Sequence, residues 1–134
     1  MKMFKRVIAA GAALMIAVTG MTMGASALFA TYQDSYRLIT AYTATTVDKA
    51  SSNGVCMNLS STPAEYSIRS ALYYKVSGIV YSYTASPWNT DTLSQNENIK
   101  ATSTHNRNYN ATYSAKTLVD GPGSFIKTVQ SEFG

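Results

Sequence analysis

One histidine, one cysteine and seven acids are all that this 134-residue chain offers to acid–base, nucleophilic or metal chemistry. The cysteine, Cys56, and the histidine, His105, stand 49 positions apart, and no local pattern pairs them as nucleophile and base. The acids Asp34, Asp48, Glu65, Asp91, Glu97, Asp120 and Glu132 form no close motif, and most fall in turn-like stretches or near the ends. A glycosidase needs two carboxyl groups about 5–9.5 Å apart, and nothing in the spacing sets up such a pair. A zinc site needs several N or S ligands, and the chain has one of each. Asp91, Asn96, Glu97 and Asn98 gather oxygen donors in one segment, but their spacing does not match an EF-hand loop. The expectation is a protein that is not an enzyme, with no catalytic residues, no metal and no cofactor. His105 reads as a solvated loop histidine.

The aromatics are a stronger candidate. The chain holds ten Tyr and one Trp. These rings join an apolar face to a hydrogen-bonding edge, which suits sugar rings and protein surfaces. Tyr73, Tyr74, Tyr81, Tyr83, Tyr109, Tyr113 and Trp88 can supply a platform, or can fill the core and its rim. Trp88 follows Pro87 in a polar stretch, where a large ring has little reason to be buried. Trp88, Tyr81, Tyr83, His105, Arg107 and Tyr109 are therefore taken as the candidate binding residues. The partner they suit is a protein or glycan at the cell surface.

Charge and hydropathy patterning bear on destination. Lys2, Lys5 and Arg6 form a positive start, Val7 to Val18 is an uncharged apolar run, and Ala25-Ser26-Ala27 fits the small-x-small rule for signal peptidase. A spanning helix needs about 20 apolar residues, and this run is shorter. Residues 1–27 are expected to be a signal peptide cleaved after Ala27, leaving 28–134 as a single secreted domain. No cysteine lies at the cleavage position, which argues against a lipoprotein. Without the leader, eight cations face seven acids, dispersed along the chain. That excludes an electrostatic footprint for nucleic acid, and membrane contact is expected only through the leader during export.

One cysteine permits no internal disulfide. Cys56 reads as a small buried hydrophobe. The chain is then a monomer, or a covalent dimer if Cys56 is exposed. Asn58-Leu59-Ser60 and Asn110-Ala111-Thr112 match the glycosylation triplet, a match that arises readily by chance in so much Asn, Ser and Thr.

The elements that must position these residues follow from period-two alternation. A strand is predicted over about 36–47. Asp48 to Gly54 reads as a turn, and Val55 to Ser60 as a second strand. Residues 62–77 carry both a capping-box pattern (Thr62, Pro63, Glu65) and an alternation ending in Tyr74, and the strand is preferred to the helix. Gly78 to Ala85 is the clearest strand, with Ile79, Tyr81, Tyr83 and Ala85 on one face. Trp88 to Glu97 reads as a loop. Residues 99–104 and 109–115 read as a hairpin with its tip at His105 to Asn108. Asp120-Gly121-Pro122-Gly123 is a turn, and 124–133 suits a last strand or a short helix. Six or seven short strands with turns between them indicate an all-β antiparallel sandwich or barrel. The function expected is non-catalytic binding by a secreted or cell-surface domain; a small secreted antibacterial protein is the alternative, and a hydrolytic enzyme a lower one.

Overall fold

The computed structural model describes residues 29–134, so the expected leader 1–27 lies outside the described residues. Nine antiparallel strands form two sheets: β1 (Phe29–Gln33), β2 (Arg37–Thr45), β3 (Lys49–Asn58), β4 (Ala64–Val76), β5 (Ile79–Ser82), β6 (Asn89–Leu93), β7 (Asn98–Asn106), β8 (Thr112–Gly121) and β9 (Phe125–Gln130). One sheet runs β1-β2-β3-β7. The other runs β5-β4-β8-β9, with β6 on the same edge of the long β4 as β5. The all-β antiparallel class expected from the alternation is what the chain adopts.

The sheets pack face to face through side chains of alternate residues. Ile39, Ala41 and Cys56 meet Tyr66, Ile68, Ala115, Val119 and Val129, and Leu93, Ile99 and Ala101 close the cluster. A second cluster at one end joins Ala50, Leu72 and Tyr113. On the opposite face of the first sheet, Leu38, Tyr42, Val55 and Met57 are also buried, and Phe29 of β1 stacks on Tyr42 with ring centroids 5.4 Å apart. Between the sheets, Gly54 faces Thr117. A Cβ there would sit 2.6 Å from the Thr117 Oγ1, so only glycine fits this close approach.

Several sequence expectations change. Residues 49–54 are the first half of β3 and not a turn. The polar run misleads because its buried side chains find partners on both faces of the sheet: between the sheets the Ser52 and Ser70 hydroxyls lie 2.6 Å apart, and on the opposite face Asn53 Nδ2 donates to Ser51 Oγ at 2.9 Å. β1 is an additional strand at the start. Within 88–97, read as a loop, Asn89–Leu93 pairs with β4, its polar side chains facing solvent along an edge. The strand preferred for 62–77 does form, as β4, and 124–133 takes its strand alternative, as β9, because both find partners along β8.

The 99–115 hairpin is also replaced. β7 pairs with β3 and β8 with β4, so 107–111 crosses from one sheet to the other. Alternation fixes which face of a strand is buried but not which edge it joins. One turn behaves as read, that of Asp120 to Gly123, and a second one is new. Ser77 (φ 51°) and Gly78 (φ 80°) make the two-residue, left-handed turn of the β4–β5 hairpin, which matches strand twist. Pro122 to Ser124 joins β8 to β9, with Gly123 at φ 71°.

Candidate functional site

The Ser77-Gly78 turn sets Val76 opposite Ile79, and therefore Tyr74 opposite Tyr81. Tyr83, two residues further along, is the diagonal neighbour of Tyr74 on the same face. The result is a row of stacked rings. Tyr81 and Tyr74 centroids are 5.2 Å apart, Tyr74 and Tyr83 4.5 Å, and Tyr83 and His105 4.1 Å with planes 10° from parallel. The row runs from the exposed β5 edge inward to β7 of the opposite sheet, so it bridges both layers of the sandwich.

His105 is thus the last residue but one of β7, partly buried, and not a solvated loop histidine. Its Nε2 lies 3.0 Å from the Ser103 Oγ, and that hydroxyl donates to the Thr84 carbonyl at 3.1 Å. One hydroxyl has one proton. With that proton on Thr84, Nε2–H is the donor to Ser103, which fixes the tautomer. The separation is that of a Ser–His dyad, but the hydroxyl is buried and turned toward a carbonyl. The arrangement positions a ring rather than activating a nucleophile. Burial raises the Tyr83 phenol above its ordinary value, with Tyr113 and Tyr74 adding to the effect, so Tyr83 stays neutral.

Arg107 and Tyr109 lie in the 107–111 crossing at the same end of the sandwich. Arg107 Nη1 donates to the Thr46 carbonyl at 2.9 Å, the Tyr109 hydroxyl donates to the Val47 carbonyl, and the guanidinium carbon sits 4.7 Å from the Tyr109 ring centroid. The two side chains clasp the β2–β3 turn. The crossing itself is tied by Asn108, whose amide N–H donates to the Tyr113 hydroxyl at 2.6 Å.

Trp88 does not join this group. It stands half-way along the β4 edge, 43% exposed, with the Arg69 guanidinium carbon 5.9 Å from its ring centroid. Of the six expected binding residues, the structure gathers Tyr81, Tyr83 and His105 in one row, sets Arg107 and Tyr109 at the same end, and leaves Trp88 apart. Tyr74 is the member that the selection of site residues passed over. A two-residue Ser-Gly turn between alternating runs was the signal that places it opposite Tyr81.

Nine large hydrophobic side chains among the described residues are exposed, and five of them, Val47, Ile79, Val80, Tyr81 and Tyr109, lie at this end. Among the described residues no group of three or more His, Cys, Asp and Glu side chains is placed to hold a metal ion. Cys56 is buried in the inter-sheet core, and burial pushes its thiol up to about 12.

No protein-family model matches the chain, and no curated protein matches it. Among solved structures, the chain is similar to one of a protein assigned as ApaA from Bordetella pertussis. Identity is 14%, the match covers 81% of this chain and 87% of that one, and the TM-score is 0.42. A likeness of that extent carries no argument about activity.

Proposed function

We propose that the chain is an exported, non-catalytic interaction domain that docks a partner protein through the aromatic end of its sandwich. The observation that carries this reading is the exposure of Val47, Ile79, Tyr81 and Tyr109 at the end of the sandwich that holds the stacked row Tyr81–Tyr74–Tyr83–His105. Exposed large apolar side chains scattered singly need no explanation, but a group of them at one end suits a docking surface. Tyrosines are suited to the task because they bring large contact area with few rotatable bonds and a polar rim. The stack holds the rings in place before any partner arrives, which lowers the ordering cost of binding. Export is supported by the leader pattern in residues 1–27 and sets the partner at the cell surface.

The test is binding of the purified protein to arrayed cell-surface proteins and glycans, repeated with Tyr81→Ser, Tyr109→Ser and, as a control at the other end, Ile126→Ser. A central aromatic contact is worth about 2 kcal/mol or more, so Tyr81→Ser should weaken binding roughly thirtyfold while Ile126→Ser leaves it unchanged. Binding that survives both tyrosine changes and disappears with Ile126→Ser would overturn the proposal. Binding to glycans alone would replace the protein partner with a sugar.

A further inference from the structure

At the end of the sandwich opposite the aromatic row, the first residue of β2 places a guanidinium in the interior. Arg37 is only 6% exposed and shares the inner face of β2 with Ile39 and Ala41. Its guanidinium carbon lies 3.8 Å from the Phe125 ring centroid, so an aromatic face covers one side of the group. Its Nε is buried and has no hydrogen-bond partner. The nearest acid is Asp34, with Oδ1 3.6 Å from that Nε. Asp34 is already committed elsewhere. Its Oδ1 accepts from the Tyr36 and Arg37 amides at 2.8 and 3.1 Å, and its Oδ2 accepts from the Tyr32 hydroxyl at 2.9 Å. Asp34 thus balances the guanidinium charge at 3.6 Å without supplying the Nε–H with a hydrogen bond, and an unsatisfied buried donor is costly.

Arg37 lines a cavity of about 130 Å³ that opens between the 58–64 segment and the β8–β9 turn. That space exceeds one water several times over, since a water's share of liquid is about 30 Å³. The lining contains this one cation and no acid. Its lining also includes Tyr36, Pro63, Ala64, Tyr66 and Pro122, together with Ser60 and Thr62. Asn58 makes the 58–62 wall rigid. Its Nδ2 donates to the Thr62 and Leu93 carbonyls at 3.1 and 2.9 Å, and its Oδ1 accepts from the Ser60 amide at 3.0 Å. Ser60 Oγ in turn accepts from the Thr62 amide at 3.1 Å, leaving its proton to donate.

We propose that this cavity binds a carboxylate, held by Arg37 and the Ser60–Thr62 segment with its carbon stem against the proline and tyrosine walls. A planar guanidinium fork matches a carboxylate's two oxygens. One cation and an apolar wall suit a singly charged group with a short carbon stem better than a phosphate dianion. The carboxylate belongs either to a small organic acid or to the C-terminus of a peptide, and the two sources share this chemistry.

The test is nuclear magnetic resonance titration of the purified protein with acetate, N-acetylalanine, N-acetylalanine amide and inorganic phosphate. The amides of Arg37, Ser60 and Thr62 should shift with the acids and stay still with the amide. Acetate binding as tightly as N-acetylalanine supports the small acid, and tighter binding of N-acetylalanine supports the peptide terminus. Arg37→Gln should weaken binding at least tenfold. Because that change touches a buried group, Thr62→Val and Ser60→Ala supply a second measure, each expected to weaken binding severalfold in a folded protein. Equal shifts with the amide, preference for phosphate, an adventitious response unmoved by Thr62→Val and Ser60→Ala, or no response at these residues would overturn the proposal.

Discussion

The imidazole of His105 lies almost parallel to the Tyr83 ring, 10° off and 4.1 Å away by centroids, although the two residues sit on different sides of the sandwich seam. An aromatic ring at that distance shields the protons above its face. The His105 ring-proton resonances should therefore lie upfield of those of a free histidine, and Tyr83→Leu should return them to ordinary positions. The stack contributes about 0.5–1.5 kcal/mol beyond the area it buries, so the variant should also unfold at lower urea. His105 resonances unmoved by Tyr83→Leu would mean that the stack does not exist in solution.

Gly54→Ala tests the close approach of the sheets. The added carbon would meet Thr117 Oγ1 at 2.6 Å and Cγ2 at 2.7 Å, and overpacking of this kind costs about 1–3 kcal/mol. Thr117→Ala removes both atoms, leaving a contact of 3.1 Å to the Thr117 Cβ. The double variant should recover part of the loss, and urea unfolding of the four proteins in a mutant cycle measures the coupling. Strict additivity would show that the two residues do not touch.

Burial decides the effect of isoleucine removal. Ile68→Ala empties a fully buried position in the inter-sheet cluster and should cost about 2–5 kcal/mol. Ile126→Ala, at a position 76% exposed on β9, should change stability by no more than about 0.5 kcal/mol. Denaturant midpoints that fall together would place Ile68 outside the core.

Stability should fall in alkali. Burial pushes the Cys56 thiol up to about 12, with the Arg37 charge opposing, and pushes the Tyr42 phenol to about 12. In the unfolded chain these groups titrate near 8.5 and 10. Above those values the unfolded chain holds fewer protons than the folded one, so rising pH favours unfolding. The contribution is complete below about pH 8.5 and is lost progressively as pH approaches 12. Urea midpoints at a series of alkaline pH values should decline, and Cys56→Ala should flatten the early part of that decline. At neutral pH the thiol should react with a disulfide reagent only on unfolding; prompt reaction of the folded protein would contradict its burial.

Much of the fold was legible because alternation is local. The β4 stretch shows Tyr66, Ile68 and Leu72 facing inward, and the sequence places them on one face before any partner strand is known. The same periodicity set Arg37 beside Ile39 and Ala41, though nothing local showed that a guanidinium would be carried inside with them. Ser51, Ser52 and Asn53 read as a turn because their types favour water, and become strand once Ser70 and Thr102 supply bonds from elsewhere.

The sequence by itself determined the class of fold, the residues that share a face of each strand and the turn at Pro122-Gly123, since each depends on residues close together in the chain. Only the tertiary structure decided which edge each strand joins, and hence that Tyr83 meets His105, that Trp88 stands apart and that Arg37 fronts a cavity. Those relationships join residues from different strands and loops, and side-chain period carries no information about the neighbour across the sheet.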